Sequence, residues 1–424
     1  MLVLIASAIF ILGYALITFE HRYKVNKSIT ATALAAVLWA LIAFTGDSHV
    51  NEALHELSAE TFSLVVFLLA AMTLVEILVH YRFFDLLRAK LFALGLKDDM
   101  QLVLISGIAF ILSAIIDNLT TTIVMVQIAR RFFRGKNLLI AAGSIVVAAN
   151  AGGAFSPIGD VTTIMLWLAQ KFSALEVIIW GFLPSLALFI VSTFLFRRQL
   201  AGDTKDDAPQ TFETVALSGS DKVVVGATFA SFALPPLAHL AHLPPFMGLL
   251  LGVGIVGLII GFFANTVSDK ESHLSLEIEK LMGKVDITSL LFFIGILFAV
   301  GALGHLGVLA AISSSLFGET PELWRLVGGS VLLGAFSAIL DNIPLTAASM
   351  DILTTTDPHL WVLLALCVGT GGSMLVIGSA AGVVAMGMVK ELTFKSYLKI
   401  ATIPALAGYV TAIAVWLVQY SLFG

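Results

Sequence analysis

The residues best placed to do chemistry in this chain are two carboxylate–amide pairs, Asp117-Asn118 and Asp341-Asn342, each set inside an otherwise apolar segment. Ser113 to Asn118 reads Ser-Ala-Ile-Ile-Asp-Asn, and half a chain later Ser337 to Asn342 reads Ser-Ala-Ile-Leu-Asp-Asn. An ionisable side chain in hydrocarbon costs about 2.5–3.5 kcal/mol even on insertion scales, and such residues mark ion or proton paths. Taken singly, Asp-Asn followed by Thr is also a helix N-cap turn. The recurrence at half-chain spacing is what favours a site, because many transporters are built from two related halves with the binding site where they meet.

More oxygen ligands lie downstream of each pair. After the first come Asn150, Gly152-Gly153, Pro157, Gly159, Asp160, Thr162 and Thr163; after the second come Thr370, Gly371-Gly372, Ser373, Gly378 and Ser379. Aligning the Gly-Gly pairs also aligns Gly159 with Gly378 and Asp160 with Ser379, so this third carboxylate appears once and is not demanded by a shared fold. Glycine pairs and Pro157 break helices, and an unwound segment frees backbone carbonyls to coordinate a cation. Carboxylate, amide, hydroxyl and backbone oxygens are the ligands a hard cation needs. The candidate cation- and proton-binding set is Asp117, Asn118, Thr120, Asn150, Asp160, Thr162, Thr163, Ser337, Asp341, Asn342 and Ser379, with Thr122, Thr346, Thr370 and Ser373 as further oxygens. The unwound-helix glycines are Gly152, Gly153, Gly159, Gly371, Gly372 and Gly378. No Lys or Arg occurs in these segments, which argues against an anionic substrate clamped by guanidinium groups.

The elements that must hold these residues are membrane helices. The chain is 59% hydrophobic and 12% charged, with a mean hydropathy of +1.01, far outside the range of soluble domains. Spans are expected at 2–19, 29–44, 61–79, 138–169, 175–196, 222–240, 246–264, 289–306, 360–388 and 400–423. Met1 to Thr18 lacks a basic leader before its apolar run and reads as a retained span. The lone Cys367 allows no internal disulfide or thiolate metal cluster. A net charge of −5 without a basic tract gives no sign of nucleic-acid binding.

The stretch 101–129 is bracketed by basic clusters, Arg82 to Lys97 and Arg130 to Lys136. A single crossing would leave one cluster outside, against the positive-inside tendency. Two crossings would leave arms of about 14 residues, roughly 21 Å of helix, too short for a core of about 30 Å. A re-entrant hairpin with Asp117-Asn118 at its tip meets both constraints, and 326–350 repeats the plan around Asp341-Asn342. The expected fold is therefore all-α and polytopic. Two inverted repeats, 1–200 and 222–424, each carry five spans (one broken) plus a hairpin, and a cytoplasmic linker at 201–221 joins them. With both termini outside, all of the 23 Lys and Arg except Lys171 and Arg325 fall on the inner side. Asp47, Glu52, Glu56 and Glu60 read as solvated outer residues, and His80, His305 and Glu76 as residues near span ends.

At the Ser-Ala-Ile-x-Asp-Asn tips, the segment from Gly152-Gly153 to Thr163 and the Gly371-Gly372 segment, the chain resembles the NhaD-type sodium/proton antiporters. That family belongs to an ion-transporter superfamily with arsenical pump membrane proteins and sodium-coupled divalent-anion symporters. The resemblance implies a bacterial inner-membrane protein, a homodimer, and alternating access by elevator-like movement. Where the anion symporters' tips resemble Ser-Asn-Thr, this chain has carboxylates, which favours a transported cation. The expected function is exchange of Na+ or Li+ for protons, with no cofactor and with cation and proton competing for Asp117, Asp160 or Asp341. Alternatives within the superfamily are an arsenite permease or a carboxylate symporter. An intramembrane aspartyl protease is the alternative from another class, without the Tyr-Asp and Gly-x-Gly-Asp pairing such an enzyme needs.

Overall fold

The computed structural model describes residues 1–18, 25–201, 216–266, 278–317, 322–353 and 355–424. Most of the expected linker at 201–221, including Asp203, Lys205, Asp206 and Asp207, lies outside the described residues. Among those described there are helices and no strand. Among the described residues six helices are long and apolar enough to cross a membrane: Val50–His80, Ala174–Arg198, Gly219–Leu240, Pro245–Ala264, Ile287–His305 and Thr402–Phe423. Leu2–Thr18 and Lys27–Ala43 are shorter apolar helices at the positions of the first two expected spans. A helix satisfies its own backbone donors and acceptors, which is the condition for lying in hydrocarbon.

The chain forms two compact units. One comprises Met1–Thr61, Asp98–Thr204 and Leu291–Gly424, the other Phe62–Lys97 and Lys205–Leu290. Within the second, aromatic edges meet at Phe83–Phe229 and Phe62–Phe246, with ring centroids 4.9 and 6.0 Å apart, and Glu76 is half-buried. Every predicted site residue belongs to the first unit.

In that unit, helices Ala174–Arg198 and Thr402–Phe423 run antiparallel. Gln199 Nε2 donates to the Ile400 carbonyl at 3.0 Å at one end, and Gln419 Nε2 to the Ile179 carbonyl at 3.2 Å at the other. Ser173 and Glu176 form a capping box that starts Ala174–Arg198, and Arg197 and Arg198 in its last turn suit the negative end of its dipole.

Two helix–turn–helix hairpins carry the Asp-Asn pairs. The first consists of Asp98–Ser113 and Asn118–Phe132, the second of Leu323–Phe336 and Asn342–Ile352. The open end of the first is closed by Asn137, just beyond its second arm. Asn137 Nδ2 donates to Asp98 Oδ2 at 3.0 Å, at the start of the first arm, and to the Ala201 carbonyl at 3.0 Å. Both ends of the hairpin thus lie together, as a re-entrant segment requires. The second hairpin is tied at its far end by Ser313, whose hydroxyl donates to the Ile352 carbonyl at 2.5 Å.

Each hairpin packs on a broken helix. The first is Gly135–Gly153 followed by Val161–Leu168, the second Pro358–Gly371 followed by Ala380–Met388. Asp98–Asn137, Ser106–Ser144 and Phe110–Gly152 form successive contacts, so the first arm of the first hairpin runs parallel to its broken helix. Gly152 lies on the Phe110 carbonyl and Gly371 on the Gly334 carbonyl, so closely that a Cβ at either would collide with it. These glycines are required by close approach of two backbones. The sequence reading put all six glycines in unwound chain, whereas Gly152, Gly153 and Gly371 sit in the last turn of a helix and Gly372 caps one. Only Gly159 and Gly378 lie inside the breaks.

Candidate functional site

The hairpin tips and helix breaks create four helix starts in the first unit, at Asn118, Val161, Asn342 and Ala380, with Asp117, Asp160, Asp341 and Ser379 in the N-cap positions. An N-cap side chain normally accepts from a backbone N–H two or three residues on, because the first turn of a helix leaves its donors unpaired. Three of the four do so. Asp117 Oδ1 accepts from Thr120 N at 2.8 Å, Asp341 Oδ1 from Ile343 N at 3.5 Å, and Ser379 Oγ from Gly382 N at 3.2 Å.

Asp160 makes no capping bond. Its carboxylate is 3% exposed and turns inward, where Oδ1 accepts from Asn118 Nδ2 at 3.2 Å. Oδ2 is buried and takes no well-formed hydrogen bond among the described residues. The Thr162 hydroxyl and the backbone N–H groups of Val161 and Thr162 lie beside the carboxylate, while Thr163 spends its hydroxyl on the Asp160 carbonyl at 2.9 Å. An unpaired buried carboxylate oxygen is expensive and calls for a ligand or a proton.

Asn118 links this carboxylate to the rest of the site. Its Nδ2 also donates to Asn150 Oδ1 at 3.0 Å, and Asn150 Nδ2 donates onward to Ser373 Oγ at 2.8 Å and Ser379 Oγ at 3.1 Å. The network therefore joins the first hairpin tip to both broken helices. It also uses both amide protons of Asn150. Tyr397 secures the far side by donating to the Ser373 carbonyl at 2.8 Å.

Around Asn342 the hydroxyl of Ser337 decides the amide's orientation. Ser337 donates its single proton to the Val368 carbonyl at 2.7 Å, so its oxygen accepts from Asn342. With Nδ2 turned that way it donates to Ser337 Oγ at 2.5 Å and reaches the Gly378 and Val368 carbonyls, each at 3.2 Å. The Asn342 carbonyl oxygen then takes the position 3.4 Å from the Gly369 carbonyl oxygen. Two acceptors at that separation with no proton between them suit a shared cation. Position 369 also abuts Asp160: a Cβ built on Gly369 would lie 2.8 Å from Asp160 Oδ2. Asp341 is within electrostatic reach of Asp160.

Of the predicted residues, the structure brings together Asn118, Asn150, Asp160, Thr162, Thr163 and Ser379 in one cluster, and Ser337 with Asn342 beside it. Asp117 and Thr120 instead satisfy each other, with Thr120 Oγ1 donating to Asp117 Oδ2 at 2.7 Å. Thr346 and Thr370 bond back to carbonyls of their own helices, at Asn342 and Leu366. Two residues escaped the sequence reading. Tyr14 accepts from Asp341 N at 3.0 Å, and Gly369 touches the Asp160 carboxylate. A tyrosine in an N-terminal apolar helix carries no local signal of such a role.

A second acidic region lies in the same unit. Glu56, Glu60 and Asp351 line a cavity of about 370 Å³ together with Trp39 and His305. Glu52, Glu56 and Glu60 were expected in a loop, but helix Val50–His80 starts well before Thr61 and carries all three. At 31 residues this helix is about 46 Å long, longer than a bilayer core is thick. His305 Nε2 and Asp47 Oδ2 pair at 2.8 Å. The backbone N–H of His49, and after it that pairing, hold the Asp47 carboxyl below the usual carboxylate range.

Residues 14–369 match the citrate transporter family CitMHS. Sodium/proton antiporter 1 of Arabidopsis thaliana is 36% identical over 98% of this chain and 72% of its own length. The Na(+)/H(+) antiporters NhaD of Alkalimonas amylolytica and Vibrio cholerae are each 32% identical over 97% of this chain, and over 90% and 91% of their own lengths. Among solved structures, the YdaH transporter of Alcanivorax borkumensis superposes with a TM-score of 0.63 over 94% of this chain and 99% of its own, at 13% identity. That likeness speaks to the fold alone.

Proposed function

The chain belongs to the NhaD-type sodium/proton antiporters, within the citrate transporter family, and from that premise we propose that it exchanges Na+ or Li+ for protons through a site centred on Asp160. It is an integral membrane protein and a transporter by family. The observation that carries the site assignment is the buried Oδ2 of Asp160, which takes no well-formed hydrogen bond among the described residues and stands in an N-cap position without a side-chain cap. Asp160 Oδ2 lies beside Gly369, whose carbonyl is 3.4 Å from the Asn342 amide, and carboxylate, amide and backbone oxygens of this kind are ligands for a hard cation. The cation and the proton occupy the same carboxylate in turn and never together. Competition of that kind couples the two fluxes without any further device.

Movement of the loaded site is read as elevator-like, with each broken helix and its hairpin travelling together in a homodimer. Matched contacts support two repeats. Ser113 donates to the Ala149 carbonyl at 2.6 Å as Ser337 does to that of Val368 at 2.7 Å, and Gly152 lies on Phe110 as Gly371 does on Gly334. The pattern of Lys and Arg supports inversion of the second repeat and an inner-membrane location with both termini outside.

The deciding experiment reconstitutes the purified protein into vesicles and measures proton release on adding NaCl or LiCl across pH. Labelled citrate, succinate and arsenite uptake are measured in parallel. The family's description as citrate transporters makes carboxylate uptake the competing reading. Carboxylate or arsenite uptake without sodium/proton exchange would replace this assignment.

A further inference from the structure

The second broken helix keeps a glycine that its own backbone does not call for. Gly369 lies in the last turn of helix Pro358–Gly371 and outside the left-handed backbone region, where alanine is the better helix former. The two glycines that follow are explained by backbone contacts, since a Cβ on Gly371 would meet the Gly334 carbonyl and one on Gly372 the Gly378 carbonyl. For a Cβ on Gly369 the nearest atoms are Asp160 Oδ2 at 2.8 Å, Ala154 Cβ at 3.7 Å and Asp160 Cγ at 4.0 Å. Only the carboxylate stands closer than ordinary contact.

The other half of the chain shows what a side chain does at this place. In the register that aligns the Gly-Gly pairs, Asn150 corresponds to Gly369, Ser373 to Ala154 and Ser379 to Asp160. Asn150 reaches across to Ser373 and Ser379, at 2.8 and 3.1 Å, and Gly369 faces the two matching residues, Ala154 and Asp160. One contact is thus built twice with its chemistry exchanged. On one side a neutral amide extends to two short hydroxyls. On the other the helix gives up its side chain, and a charged one comes up to its backbone.

We propose that Gly369 is a specificity-determining residue for the exchanged cation: lacking a side chain, it lets the Asp160 carboxylate reach the second broken helix, and that reach sets the size of the ion held there. The assignment of Asp160 as the cation carboxylate is its premise. With alanine at 369 the carboxylate must recede by about 0.6 Å to gain the 3.4 Å at which ordinary contact begins, more than the roughly 0.5 Å within which a binding geometry has to be held. It recedes from the side that carries the Gly369 carbonyl and the Asn342 amide, so the oxygens stand further apart and the smaller ion spans them less well.

The test adds one methyl group. In reconstituted vesicles Gly369→Ala should raise the half-saturating sodium concentration for proton release about tenfold, the order set by a displacement of this size, and that of lithium several-fold more. Its melting temperature in detergent should match or exceed that of the unaltered protein. Gly387→Ala, with nothing within 4 Å, should leave both ions unaffected. Gly369→Asn, which brings to this side the amide of the other half, should abolish exchange with either ion. Equal weakening of sodium and lithium by Gly369→Ala, no weakening of either, normal exchange by Gly369→Asn, or an equal effect of Gly387→Ala would each overturn the inference. So would a Gly369→Ala protein that melts well below the unaltered one, because position 369 would then serve packing. Binding is read without transport from the rise in melting temperature with NaCl or LiCl. An unaltered protein that shows this rise but releases no protons would lose exchange as its function, while the sodium-to-lithium ratio in the melts still decides the role of Gly369. No rise with either salt would remove the cation site and this inference with it.

Discussion

Replacing Asp160 by Asn separates the charge of the site from its architecture. The isostere keeps an Oδ1 to accept from Asn118 Nδ2, now at 3.2 Å, so the Asn118–Asn150 link and the hairpin tip should survive. What disappears is the negative charge beside Gly369 and the acceptor at the unpartnered Oδ2. A unit charge about 4 Å from a bound cation at an effective dielectric near 20 is worth about 4 kcal/mol, close to a thousandfold in affinity. Sodium-driven proton release from reconstituted vesicles should therefore vanish at millimolar sodium. Folding should not suffer, because exchanging an unpaired buried carboxylate for a neutral amide removes a desolvation cost. The melting temperature in detergent should equal or exceed that of the unaltered protein, whereas its upward shift with added NaCl, the mark of a ligand bound to the folded state, should be lost. Exchange at the normal rate with normal sodium dependence would refute the assignment. A variant that is inactive because it melts well below the unaltered protein would show Asp160 to be structural.

Other perturbations test the parts around it. Pro344→Thr restores at the second tip the capping pair that Thr120 provides at the first. It should stabilise the protein by about 1 kcal/mol in thermal melts, while tightening the long cap of Asp341 and weakening sodium dependence several-fold; an unaltered sodium response would show that Asp341 takes no part in binding. Gly371→Ala drives a methyl into the Gly334 carbonyl and should destabilise by about 1–3 kcal/mol, whereas Gly387→Ala, with nothing within 4 Å, should leave melting unchanged. Asp47 has its carboxyl lowered from 3.8 by the His49 N–H and His305, so the stability it contributes is present above pH 3.8 and is lost as pH falls through the lower folded value. Asp47→Asn should accordingly narrow the melting difference between pH 5 and pH 3, and an undiminished difference would show that the His305 pair contributes nothing.

Much of this site was legible because its signals are local. Gly-Gly pairs, Pro157 and Asp-Asn turns are backbone instructions that act within a few residues, so hairpins and broken helices could be placed, and an unmatched Asp160 could be singled out by aligning the halves. Helix boundaries were less legible. Val50–His80 begins before its apolar stretch, because Ala, Leu and Glu continue a helix whether or not lipid surrounds it.

What only tertiary structure decided is the division of labour among the three carboxylates. Asp117 has Thr120 three residues on and is consumed as a cap, a local pairing that the sequence displays once it is sought. Asp160 holds the same backbone position and is drawn off it by Asn118, and its free oxygen faces Gly369 on the other broken helix. The Asp341 N–H is met by the hydroxyl of Tyr14, far away in the chain. The sequence alone determined a helical membrane protein with two polar helix breaks, because composition and chain-breaking residues act at short range. Which oxygen remains unpaired depends on side chains brought together by packing, and no local pattern encodes that.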